Sequence, residues 1–285
     1  MDRPEEVVGK DIRSFQETVR NHSLYDFSQY SHTSLKRRLI RILLEYEMSM
    51  DELTTRMSSD AGFLESVIRK VTVHTTELFR DPDVWKKMMN QLLPLYADQE
   101  VIRIWHPGCS TGQEVYSMLI VLDHLNLLDK SEVYGSDINQ EVIEKAEAGT
   151  YKYRFNQVYL ENFDKVILNG SGEDYGNPKK HWKKYFQIEE AHDRIRMREF
   201  LREKPVYKKQ DLVKDDNLFL VNFDLIVCRN VIIYFNNDLQ NRVFELFFNN
   251  LNDRGSLLLG VHESIMGPYA KRYVKRGPFY FKEQE

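Results

Sequence analysis

The sequence predicts an α/β protein in which a parallel sheet, covered by helices on both faces, follows an all-α N-terminal domain. Three observations carry this. Residues 1–72 contain apolar stripes at helical spacing and no strand-like run. After about Val101, β-branched runs alternate with helical ones, the pattern of βαβ units. Of 285 residues, 42% are hydrophobic and 29% charged, as in an ordinary globular chain long enough to bury a real core.

In the N-terminal region, Leu35, Leu39, Ile42 and Tyr46 form one helical stripe, while Lys36, Arg37, Arg38 and Arg41 cover the other faces. A second helix is expected after Met50-Asp51 and a third near Phe63, Val67 and Ile68. The second domain, 73–285, opens its sheet with Val101–Trp105. A helix over Gln113–Leu128, a strand over Ser131–Ile138 and a helix over Asn139–Ala148, stopped by Gly149, follow. Alternation then breaks down between Tyr151 and Glu203. Turn signals at Asn169-Gly170-Ser171-Gly172 and Tyr175-Gly176-Asn177-Pro178, with the alternating run Asp193–Arg198, predict a small antiparallel β-subdomain inserted at about 155–203. Later strands are Pro205–Lys209, Phe223–Cys228 and Ser256–Val261, with Tyr280–Lys282 as the last edge.

Lys plus Arg (40) against Asp plus Glu (44) gives a net charge of −4, which argues against a whole-surface affinity for nucleic acid or anionic membrane. The two cysteines, Cys109 and Cys228, lack metal-ligand spacing and make no disulfide framework. The charged N-terminus is no signal peptide, and no apolar run reaches the ~20 residues that span a bilayer. A cytoplasmic protein without membrane insertion is expected.

The strongest chemical signal is the join from the first strand to its helix, I-W-H-P-G-C-S-T-G-Q-E-V-Y-S. A glycine-bearing turn at a helix N-terminus lets backbone amides approach a ligand. It is neither G-x-G-x-x-G nor a P-loop. Asp137, at the end of the second strand, is placed to accept hydrogen bonds from both ribose hydroxyls of an adenosine ligand; capping the next helix is the alternative. Glu114 would repel a phosphate yet suits a ligand with an ammonium or sulfonium, so S-adenosylmethionine fits better than NAD or ATP. Its alternative is an ordinary acid in the first turn of a helix.

These residues sit within four motifs: T-T-E-L-F-R-D-P at Thr75–Pro82, G-C-S-T-G-Q-E-V-Y-S at Gly108–Ser117, G-S-D-I at Gly135–Ile138, and F-D-L-I-V-C-R-N-V-I-I-Y-F at Phe223–Phe235. In this order the chain resembles the CheR-type chemotaxis receptor glutamate O-methyltransferases over nearly its whole length. The resemblance implies a Rossmann-like S-adenosylmethionine methyltransferase domain behind the helical domain, and methyl transfer to glutamate carboxylates of chemoreceptors. It places His74, Thr76, Arg80, Glu114 and Asp137 in the cofactor pocket, with Asp211 and Leu212 at the adenine and Arg229 and Asn230 at the mouth. It sets Arg80 and Tyr234 against the substrate carboxylate, and it implies docking of acidic receptor helices on Lys36, Arg37, Arg38 and Arg41.

The chain departs from that pattern in places. Gln113 replaces the first acid of the usual G-E-E, His74 stands for Asn, Asp211 for Asn, and G-H-S-E reads G-V-H-E-S around His262 and Glu263. The Glu189–Asp193 loop lacks the glycine-rich turn of members that grip a receptor's C-terminal pentapeptide, which argues against that tether.

The chemistry is coherent without the name. A glutamate with pKa ~4.3 is already ionised at neutral pH, so the protein must hold, orient and partly desolvate it rather than deprotonate it. Arg80 can aim it and the Tyr234 hydroxyl can fix one oxygen. Taken singly, Arg80 reads as a partner of Asp81 or Asp83, and Tyr234 as core. His74, His106 and His262 read as packed or hydrogen-bonded, and both cysteines as small buried residues. Two other functions remain open: methyl transfer to a small carboxylic acid or another protein, and a non-catalytic cofactor-binding module.

Overall fold

A computed structural model describes residues 7–72, 76–168 and 178–283. Four helices come first: α1 (Gly9–His22), α2 (His32–Tyr46), α3 (Met50–Ser59) and α4 (Ala61–Val71). Phe15, Val19, Leu35, Leu39, Leu53 and Val67 close their common core. Of the predicted stripe on α2, Leu35, Leu39 and Ile42 are buried and Tyr46 half-buried. At the start of α3, Ser49 and Glu52 each accept the other's backbone N–H, a reciprocal cap.

α5 (Pro82–Lys87) leads through two irregular helical turns to the sheet. There follow β1 (Ile102–Pro107), α6 (Gln113–His124), β2 (Ser131–Asp137), α7 (Gln140–Ala148), β3 (Thr150–Lys152) and α8 (Tyr153–Phe163). Then come α9 (Pro178–Tyr185), β4 (Phe186–Glu189), β5 (Arg194–Met197), α10 (Glu199–Arg202), β6 (Pro205–Lys209) and β7 (Phe223–Cys228). The chain ends with α11 (Asn237–Asn250), β8 (Leu251–Leu259), β9 (Tyr273–Arg276) and β10 (Phe279–Lys282).

The main sheet has seven strands in the order β6-β2-β1-β7-β8-β10-β9. β6, β2, β1, β7 and β8 are parallel, but β10 runs antiparallel to β8 and β9 antiparallel to β10. The sheet is therefore mixed, and β10 is not its edge. The Gly277-Pro278 turn folds β9 back along β10, as a two-residue hairpin does. Successive residues of β1 point to opposite faces: Ile104 enters one core with Leu119 and Phe79, and Trp105 enters the other with Phe223 and Phe247.

α6 stops at His124, short of the expected Leu128, because Asn126 takes a left-handed conformation (φ 57°) and Leu127 N–H bonds Leu122 O at 2.8 Å. The small sheet, ordered β3-β5-β4, begins at Thr150, ahead of the expected 155. In its hairpin Asp193 occupies the left-handed position (φ 50°) where a glycine would ordinarily sit. Most of the turn-rich Asn169–Trp182 stretch, residues 169–177, lies outside the described residues. Among the described residues no helix is long and apolar enough to cross a membrane, and no group of three or more His, Cys, Asp or Glu could hold a metal ion.

Candidate functional site

Strand order reverses at β1, with β2 on one side and β7 on the other. A crevice at the carboxyl ends of such strands is where open α/β sheets bind ligands. The turn leaving β1 is pinned on three sides. Gly108 and Cys109 N–H both reach Ser136 O, at 2.7 and 2.9 Å. Gly108 has φ +74°, and a Cβ there would lie 2.4 Å from a Val231 methyl. Gly112 (φ +87°) starts α6 so close to α7 that a Cβ would lie 2.7 Å from Ala146 Cβ. Only glycine meets both demands, left-handed backbone and contact.

Asp137 closes the floor. Its Oδ2 accepts Ser110 N–H at 2.9 Å and its Oδ1 accepts Asn139 N–H at 3.0 Å. The cap of α7 is Asn139, whose side chain accepts Glu141 N–H at 2.9 Å, so Asp137 is not the capping residue.

Glu114 is the centre of a charged network. Its Oε1 lies 3.2 Å from His106 Nδ1 and its Oε2 3.1 Å from Arg229 Nη1. Arg229 Nη2 reaches Asp81 at 2.6 Å and Arg80 O at 3.0 Å. Burial alone would raise the Glu114 pKa, but the His106 hydrogen bond and the Arg229 charge outweigh it and hold the carboxyl below its ordinary value. Arg229, expected at the mouth, is in fact 1% exposed and lies under the cleft, because two carboxylates and a carbonyl are needed to compensate a desolvated guanidinium.

That network also fixes the strand of chain carrying Arg80. Phe79 and Asp81 on either side are left-handed (φ 52° and 58°). Phe79 N–H bonds Ser117 Oγ at 2.8 Å, and Trp85 Nε1 donates to Arg80 O at 3.0 Å. The acids next to Arg80 pair elsewhere, Asp81 with Arg229 and Asp83 with Lys86 at 3.7 Å.

The loop after β7 forms the opposite wall. Glu263 accepts N–H from Asn230 (2.7 Å), Gly260 (2.7 Å) and Ile233 (3.2 Å). It thereby holds the turn that presents Asn230, left-handed at φ 62°, and Tyr234. Burial raises the Glu263 pKa despite these bonds. A third wall comes from the loop after β6: Gln210 N–H bonds Asp137 O at 2.9 Å, and Asp211 Oδ1 accepts Val213 N–H at 2.9 Å. Burial raises the Asp211 pKa.

One cleft gathers Thr76, Arg80, Glu114, Asp137, Asp211, Leu212, Arg229, Asn230 and Tyr234. His74 lies outside the described residues. His262 is exposed and away from the cleft, since its neighbour Glu263 is the one that turns inward. Cys109 and Cys228 are buried, and burial raises both thiol pKa values well above the ordinary one, which leaves little thiolate.

Sequence reasoning missed Tyr30 and Gln210, which also line the cleft, and the supporting role of Glu263. Tyr30 comes from the loop before α2, a region with no signal of its own for a site. Gln210 was within reach, as the last residue before the Asp211-Leu212 pair. Glu263 was visible only as an altered motif.

Two family models match the chain. The CheR methyltransferase, all-alpha domain matches residues 10–72, and the CheR methyltransferase, SAM binding domain matches 74–277. Cher3 of Pseudomonas putida, named as a methyltransferase with no acceptor given, is 33% identical over 265 residues, 92% of this chain and 92% of that one. The chemotaxis protein methyltransferase of Listeria monocytogenes is 25% identical over 91% of this chain and 92% of its own. Chemotaxis protein methyltransferase 1 of Vibrio cholerae is 26% identical over 90% and 89%.

Proposed function

The chain belongs to the CheR methyltransferase family, and from that membership we propose that it methylates glutamate side chains of chemoreceptors, forming glutamyl methyl esters. The observation that carries the acceptor is Arg80 and Tyr234 in the same cleft as Glu114 and Asp137, with the acids beside Arg80 engaged elsewhere.

The cleft's residues fit S-adenosylmethionine. Asp137 lines the cleft as the acceptor for the ribose hydroxyls, and Glu114, held ionised, offers a charge opposite to the ammonium. Asp211 and Leu212, on the same cleft, are our candidates for the adenine contact. When bound, this donor supplies a methyl group on a positively charged sulfur that departs as a neutral thioether. The protein's part is positional: Arg80 draws the substrate carboxylate in and aims one oxygen, while Tyr234 donates to the other. The carboxylate arrives ionised at neutral pH, so no residue has to take a proton and no charge is left over after transfer.

Receptor docking belongs on α2. Arg37 and Arg41 are exposed one turn apart, whereas Lys36 and Arg38 are half-buried; the first two are the docking pair for an acidic helix. The β4–β5 hairpin is a poorer candidate, because its Glu189 is tied to Arg194 within the hairpin.

The test is incubation with labelled methyl donor and chemoreceptor fragments from the same organism. Base-labile label on receptor is expected, falling at least ~100-fold in Arg80→Ala, the scale set by losing a preorganised charge partner. Label only on a different carboxylate acceptor would redirect the assignment, in keeping with the unspecified acceptor of Cher3. Donor binding with no transfer to anything would leave a cofactor-binding module.

A further inference from the structure

We propose that Tyr30, from the N-terminal helical unit, is part of the methyl-donor site, its hydroxyl donating a hydrogen bond to the adenosine half of the ligand. The inference rests on the donor assignment above and goes beyond it by making that site two-sided.

The geometry is fixed by main chain. Ser31 N–H donates to Tyr234 O at 2.8 Å and Asn236 N–H to Gln29 O at 2.9 Å, so Tyr30 and Phe235 form a short antiparallel bridge. Tyr30 therefore cannot move independently of the loop that carries Tyr234. Its ring is clamped edge-on between Phe27 (4.7 Å) and Phe235 (5.4 Å), and lines the cleft with Asp137, Asp211 and Leu212. Tyr30 is half-buried and lines the cleft, where a bound ligand would cover its phenol, and a covered phenol ordinarily takes a hydrogen-bond partner.

The hydroxyl is also a committed donor. Burial first, then the Asp211 and Asp137 carboxylates, push its pKa up from the ordinary tyrosine value, so the proton stays on at any working pH. These two acids are the ones placed at adenine and ribose. A donor facing the same region meets the acceptors of adenosine, its ring nitrogens and ribose oxygens, which neither carboxylate can satisfy.

Tyr30→Phe keeps the ring and its two aromatic contacts and removes only the hydroxyl. The probes are S-adenosylhomocysteine and methylthioadenosine, which share the adenosine and differ in the amino-acid half, with dissociation constants read by calorimetry. Tyr30→Phe should weaken both by the same factor, about 3- to 10-fold for one hydrogen bond, with ligand-free melting unchanged. Unchanged binding of both ligands overturns the proposal, and so does a loss confined to S-adenosylhomocysteine, which would place the hydroxyl at the amino-acid half. Wild-type protein binding neither ligand would instead defeat the donor assignment itself, so the two failures are distinct.

Discussion

At Glu114 a carboxylate, an imidazole and a guanidinium meet in space that excludes water: the Glu114 side chain is 15% exposed, His106 0% and Arg229 1%. An isolated acid there would be protonated. The His106 hydrogen bond and the Arg229 charge reverse this, and because Arg229 also holds Asp81 and the Arg80 carbonyl, one of the two groups that keep Glu114 ionised also sets the backbone of Arg80. Glu114→Gln keeps the shape and removes the charge. It should weaken S-adenosylhomocysteine about tenfold or more and cost ~1–3 kcal/mol, less than a fully broken buried pair because Asp81 still faces Arg229. The pH sign follows from the lowered pKa: stability from the ionised form is present above the unfolded glutamate value of ~4.3 and is lost as pH falls through the folded one. Urea midpoints of wild type and Glu114→Gln should therefore differ at pH 7 and converge only once pH has fallen through the lowered folded-state value; a gap that persisted unchanged in acid would show that the loss is packing, not charge.

The element that makes the site is the β1–α6 turn, and its demands were legible because glycine reports backbone geometry directly. Ser110, left-handed at φ 50° without being glycine, was not, since nothing in a serine announces strain; it is held by its amide on Asp137. The same difference separates the strands that were read from those that were not. β7 is a largely apolar run, Phe223–Cys228, buried throughout, whereas β9 is four residues with two cations and, among the described strands, pairs only with β10. α1 escaped notice because Ile12, Phe15 and Val19 are its only buried residues among many polar ones. Gly108→Ala separates two costs at the turn. The left-handed backbone costs ~1–2 kcal/mol and the Val231 overlap ~1–3 kcal/mol. Thermal denaturation should show the single substitution destabilised by their sum, and Gly108→Ala with Val231→Ala should recover the overlap part only. Full recovery in the double variant would mean that the backbone is unstrained.

On the scale of the molecule, what no local pattern announces is that the helical unit and the sheet unit share one cleft. The sequence carries the two units as separate stretches, and the contacts that join them span long separations: Tyr30 to Phe235, Ser31 to Tyr234, Arg69 to Glu141 at 2.7 Å. α2 starts at His32, one residue past the main-chain bond to Tyr234 O, so the start of that helix is tied to the Tyr234 loop. On the proposed docking, a receptor helix captured along Arg37 and Arg41 would lie on the element that is bonded to the Tyr234 loop. Arg37→Glu with Arg41→Glu tests this as an encounter effect. Opposite charges steer association and are screened by salt, so the variant should lose about tenfold or more in kcat/KM for receptor at low ionic strength, through KM, with kcat and S-adenosylhomocysteine affinity unchanged. The difference from wild type should shrink as salt approaches ~0.5 M, where the screening length falls to a few ångströms. A loss equal at all salt concentrations, or one shared by cofactor binding, would assign the two arginines to folding of α2 instead of docking.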